Sequence, residues 1–198
     1  MSVKTKEENI NLLKEDYIDF IKTTIQETGG LHPSFTVFVE LKESKGEEDA
    51  KIGLVHIPIS NDFMQNDDTK DELVRELLPE ISKTIKKDFI PYALAWASEV
   101  WVRRIDKDIA KSLGPDPNGI KLSQLMKTAN KVEAIFINIE SDTDTNVHVY
   151  EILRDGKQIT VDGDLVDKIE LIECDDFNSD FDKKSIGGRF SNLFHLFK

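Results

Sequence analysis

The sequence predicts an α+β fold: a mostly antiparallel sheet of about five to seven strands, with two helical segments from the N-terminal half packed on it. Three observations carry this expectation. Two early stretches repeat apolar residues every three or four positions, several later stretches alternate apolar with polar residues, and turn-forming residues punctuate the chain between them. A length of 198 residues suits one compact core. A single domain is expected over residues 1–174, followed by a tail over 175–198.

The first helix is read from Glu8 to Ile25, where Ile10, Leu13, Tyr17, Ile21 and Ile25 form one apolar stripe. Thr28, Gly29 and Gly30 end it, because glycine accepts the left-handed position past a helix end. The following "FTVFVELK" alternates, placing Phe35, Val37, Val39 and Leu41 on one face and Phe38 with Glu40 on the other. "ESKGEED" is a solvated turn, and "AKIGLVHIPI" returns as the partner strand. Pro58 belongs at the end or edge of that strand, since it has no N–H for a ladder.

Asp67 or Asp68 caps a second helix whose stripe includes Leu73, Leu77, Leu78, Ile81 and Ile85. Pro79 inside the stripe predicts a kink or break near residue 78. "FIPYALAWASEVWVRRI" reads as a long central strand, with both early helices expected on one face of the sheet. Residues 106–130, rich in glycine, proline and charge, are the candidate loop or flap. "KVEAIFINIE" is a strand, "NVHVYEILRDGKQITV" a hairpin turned by Asp155-Gly156, and "DGDLVDKIELIE" a further strand.

Charge narrows the partners. A net charge of -12, from 38 acidic against 26 basic side chains, repels polyphosphate backbones at long range. The basic groups Lys83, Lys86 and Lys87, and Arg103 with Arg104, are too small to reverse that, so direct nucleic-acid binding is disfavoured. The single Cys174 forms no internal disulfide and no multi-cysteine zinc cluster. Charges in the first residues argue against a signal peptide, and no apolar run is long enough to span a bilayer. A cytoplasmic protein without a membrane partner is the expectation.

Chemistry is sparse. His32, His56, His148 and His195 show no compact metal-ligand spacing. Asp142, Asp144 and Asn146 imitate the start of a calcium loop, but Val147 and Leu153 stand where glycine and a bidentate glutamate are needed. Ser34, Ser98 and Cys174 lie outside any nucleophile elbow. No metal and no cofactor is expected. The one constellation worth testing is Glu99 in the central strand with His32 and Glu133, a small acid–base pocket; the plainer reading pairs Glu99 with Arg103 two residues along the same face.

In order along the chain, "GGLHP", "SEVW" and "KVEAIFINIE" resemble a pattern of small uncharacterised bacteriophage and bacterial proteins. These share a glycine-rich turn, a Ser-Glu-x-Trp element and a basic-x-Glu strand. The resemblance covers three short segments and implies no catalytic residues; it implies a phage or phage-like origin, and hence a host cytoplasm.

The functional expectation is a non-enzymatic accessory protein that acts through protein–protein interaction, with a protein partner or as a homodimer. Its expected contact is the closing apolar cluster Phe190, Leu193, Phe194, Leu196 and Phe197, which something must cover: the domain itself or a partner. On the partner reading, deleting residues 187–198 weakens association and spares the fold. The alternatives are a small hydrolase or metal-dependent enzyme using His32, Glu99 and Glu133, and an acidic mimic of nucleic acid.

Overall fold

Alternating apolar residues become strands that neighbour one another in the order β2-β1-β3-β4-β5-β6. In the computed structural model the described residues are 6–44, 51–103, 131–159, 165–174, 190 and 192–198. Among them β1 is Ser34–Leu41, β2 Ile52–Pro58, β3 Phe89–Arg103, β4 Lys131–Ser141, β5 Thr145–Ile159 and β6 Leu165–Glu173. Every neighbouring pair is antiparallel. Helix α1 spans Lys6–Thr28, α2 Asp67–Glu72 and α3 Leu78–Asp88. The α+β class is therefore observed. The flap read over residues 106–130 lies outside the described residues.

The two helical segments do not share a face. Tyr17, Ile21 and Ile25 of α1 pack on Phe38, Ala93, Ala95, Ala97, Ile135 and Ile137, whereas Leu73, Leu78 and Ile85 pack with Phe35, Val37, Val39 and Leu94. This corrects the expectation of helices on one side, and β1 and β3 supply the reason. Odd and even positions of both strands are apolar, so the sheet centre needs a cover on each face. The alanines of β3 all lie under α1.

The break expected at Pro79 takes the form of a change in helix type, and residues 67–88 stay helical throughout. Residues Leu73–Leu77 form a π turn that links α2 to α3, closed by Leu78 N–H donating to the Leu73 carbonyl. The wider turn falls immediately ahead of a residue with no N–H to give. Asp155-Gly156 differs from its reading. It turns no hairpin, because both its flanks pair with β6: Arg154 faces Ile169 and Lys157 faces Asp167, with the register shifting between them. Gly156 has φ 76°, so the turn signal is spent on a bulge inside one long strand.

The closing apolar cluster is covered by the chain itself. Phe190, Leu193, Phe194 and Phe197 are buried in the second core, with Leu196 packed against it. The Phe190 ring meets Phe35 at 5.7 Å and Trp96 at 5.4 Å between centroids. Glu140, itself buried, accepts the backbone N–H of Asn192 at 2.5 Å and of Phe194 at 3.2 Å, and Asn138 Nδ2 at 2.9 Å. From α3, Ser82 Oγ donates to the Leu196 carbonyl at 2.6 Å, and Lys86 Nζ reaches the Leu196 and Lys198 carbonyls. Of the two covers the sequence leaves open, the domain is the one used. Phe190, Leu193, Phe194 and Phe197 are spent on the core, Leu196 is partly buried against it, and the expectation that removing them spares the fold does not fit their place there.

Candidate functional site

The turn after α1 organises the polar residues at one end of the sheet. Gly29 takes φ 77°, and its N–H donates to the Ile25 carbonyl at 2.9 Å, which closes the helix. Its own carbonyl accepts Arg154 Nη1 at 2.7 Å. Arg154 also holds Glu133 with two bonds, Nε to Oε2 at 2.9 Å and Nη2 to Oε1 at 2.8 Å. Two residues on, Leu31 N–H donates to Glu99 Oε1. A Cβ on Gly30 would stand 3.2 Å from that same oxygen, so the carboxylate occupies space a side chain would take. Glycine is required by the backbone at Gly29, and at Gly30 it spares the Glu99 carboxylate a tight contact.

Beyond this turn lies a cleft of about 470 Å³ between the end of α1 and strand β2. Phe20, Thr24 and Thr28 line it from successive turns of α1, His32 from the loop, His56 and Pro58 from β2, and Glu99 from β3. His56 Nδ1 lies 3.0 Å from Thr36 Oγ1, its cross-strand neighbour, and the Phe20 ring packs edge-on at 5.4 Å. Burial holds the His56 imidazole below its ordinary pKa of 6.5, which keeps it neutral at neutral pH.

Of the three residues expected to converge, His32 and Glu99 share this cleft. Glu133 does not, because Arg154 holds it. The plainer Glu99–Arg103 ion pair involves a side chain outside the described residues. His56, Phe20 and Thr24 went unassigned in the sequence. A usable signal existed, since Phe20, Thr24 and Thr28 recur at four-residue spacing beside the buried stripe of α1.

Other candidates resolve structurally. Ser98 Oγ donates to the Glu99 carbonyl at 3.0 Å, and Ser34 is buried. His148 Nδ1 is 3.4 Å from Glu173 Oε1 within β5 and β6. The "SDTD" segment is a tight turn: Ser141 N–H donates to the Asp144 carbonyl at 2.8 Å, and Asp142 pairs with Lys198 at 2.6 Å. Among the described residues no group of three His, Cys, Asp or Glu side chains is placed to hold a metal ion. No helix is long and apolar enough to cross a membrane among them either.

The two sheet edges differ. Leu41 N–H donates to the Lys51 carbonyl and Ile59 N–H to the Pro33 carbonyl, so odd-numbered residues of β2 bond β1. Ile52, Leu54 and His56 therefore turn their N–H and C=O groups outward, and Pro58 ends the row. Nothing from Ile52 to Ile57 is formally charged at neutral pH, whereas β6 carries Lys168, Glu170 and Glu173. Comparison with protein-family models, with curated proteins and with solved structures finds no match, so the functional reading rests on this geometry alone.

Proposed function

We propose that this chain is a non-enzymatic accessory protein that works by joining the β2 edge of its sheet to another chain, and that the first such partner is a second copy of itself. The observation that carries it is the uncharged outward row Ile52, Leu54, His56. Strand edges left without charge, bulge or cover pair with other strands, and soluble proteins guard them for that reason. The opposite edge is guarded by charge; this one is not. Two copies related by a two-fold axis at Leu54 would pair residue 52 with 56 and 54 with 54, each pair exchanging both backbone bonds.

The hydrolase reading is weaker, because it loses Glu133 to Arg154.

Sedimentation over a concentration series tests the proposal with Leu54→Pro. That substitution removes an outward N–H and costs β1 no ladder bond. The full chain is expected as a dimer and Leu54→Pro as a folded monomer. His56→Lys, which keeps the backbone and adds an edge charge, is expected to weaken the dimer as well. A monomeric full chain, or a dimer indifferent to both substitutions, overturns it.

A further inference from the structure

We infer that the cleft at the end of α1 is a binding site for a primary ammonium group carried on a short apolar chain, with Glu99 Oε2 as its counter-charge. The inference is independent of strand pairing.

Among the described residues Glu99 is the one formally charged side chain lining the cleft at neutral pH, and no lysine or arginine among them lines it. Its Oε1 is bonded to Leu31 N–H, and no other bond to the carboxylate is made by the described residues. The cleft also lies at the C-terminal end of the 23-residue α1, whose last turn holds no basic residue. A helix end of that kind carries a partial negative charge. Arg154 approaches the same turn, but its charge is matched by Glu133. Among the described residues the local balance is therefore negative.

The walls define the rest of the ligand. Phe20, 43% exposed, and Pro58 supply apolar contact for a chain. Thr36 engages His56 Nδ1, which leaves Nε2 as the ring nitrogen with no bond to a described residue. In the tautomer with the proton on Nδ1, that nitrogen accepts a second ammonium hydrogen. Ammonium is favoured over guanidinium for a geometric reason. A planar guanidinium fork needs both carboxylate oxygens open along one edge, and Leu31 N–H already takes one lone pair of Oε1; a compact ammonium can bond Oε2 alone.

Imidazole proton resonances of His32 and His56 report on the cleft directly. Butylammonium is expected to shift both saturably, butylguanidinium more weakly, and butanol and butyrate not at all. Glu99→Gln keeps an acceptor for Leu31 N–H and removes the charge; about tenfold weaker butylammonium binding is expected, with the amide spectrum of the fold retained. Should that variant unfold, Phe20→Ala, on the exposed wall, is the second probe, with affinity reduced several-fold. Repeating the titration on Leu54→Pro separates this site from the sheet edge. A blocked lysine amide that binds as well as butylammonium identifies a lysine side chain as the source, and one that does not identifies a free amine. Shifts equal for butanol and butylammonium, or no saturable shift with butylammonium, overturn the inference.

Discussion

Gly29 and Gly30 show how much one dipeptide can be asked to do. At Gly29 the backbone is left-handed, so Gly29→Ala is expected to lower stability by about 1 kcal/mol, read from a denaturant melt. At Gly30 the backbone is ordinary and the neighbour is the difficulty, because a methyl group would press on Glu99 Oε1. Gly30→Ala is therefore expected to disturb the Leu31–Glu99 bond and the imidazole resonances of the cleft more than the global melt. Glu140 is the corresponding residue in the second core. Its carboxylate bonds two backbone N–H groups of the closing segment. Glu140→Ala leaves those donors in a buried place without an acceptor, and about 3 kcal/mol of stability should go with it.

Elements in this protein are held by what lies beside them more than by their own propensity. Among its described residues the segment over 190–198 has no element longer than the four-residue 3-10 turn Phe194–Phe197, yet it fills the second core. Phe197 is fully buried, and Phe197→Ala is expected to cost about 4 kcal/mol by opening a cavity. Deleting residues 190–198 should go further and expose Phe35, Trp96 and the α3 stripe together. The expected result is a chain that binds a hydrophobic dye and loses its cooperative melt; a deletion variant with a native melt would show the core closes without this segment. The bulge at Gly156 makes the same point for β5, where a turn sequence is overruled because both flanks find the same partner strand.

For the molecule as a whole, burial of titratable groups ties stability to pH. His56 and His148 both have pKa values lowered from 6.5, chiefly by burial, with Glu173 partly opposing the shift at His148. Below pH 6.5 the unfolded chain takes up these protons before the folded one does, so stability falls as pH drops through that region and is complete above it. Tyr150, pushed up to about 12 by burial and by Glu173, and the still more buried Tyr17, raised by burial, act at the other end. The unfolded phenols ionise near 10.0 first, so stability falls again above that value. Melts between pH 5 and 8 check the acid limb. His148→Gln should flatten it without moving the alkaline limb.

Local pattern alone determined the class of the fold, most strand and helix positions, an irregularity of the helix ahead of Pro79 and the buried stripe of α1. Each is a matter of neighbouring residues along the chain, where period and turn chemistry suffice. The faces of β1 were legible too, since alternation settles them once a strand is granted. Of the candidate site, Glu99 and His32 were visible as residues out of place, a carboxylate in an apolar strand and a histidine after paired glycines. Only tertiary structure decided that Glu133 belongs to Arg154, that His56 belongs with Glu99, and that the two helical segments take opposite faces. It also decided that the closing phenylalanines serve the core. These outcomes depend on strand order and on which surfaces remain to be covered after the sheet forms, and sequence separation carries no information about either.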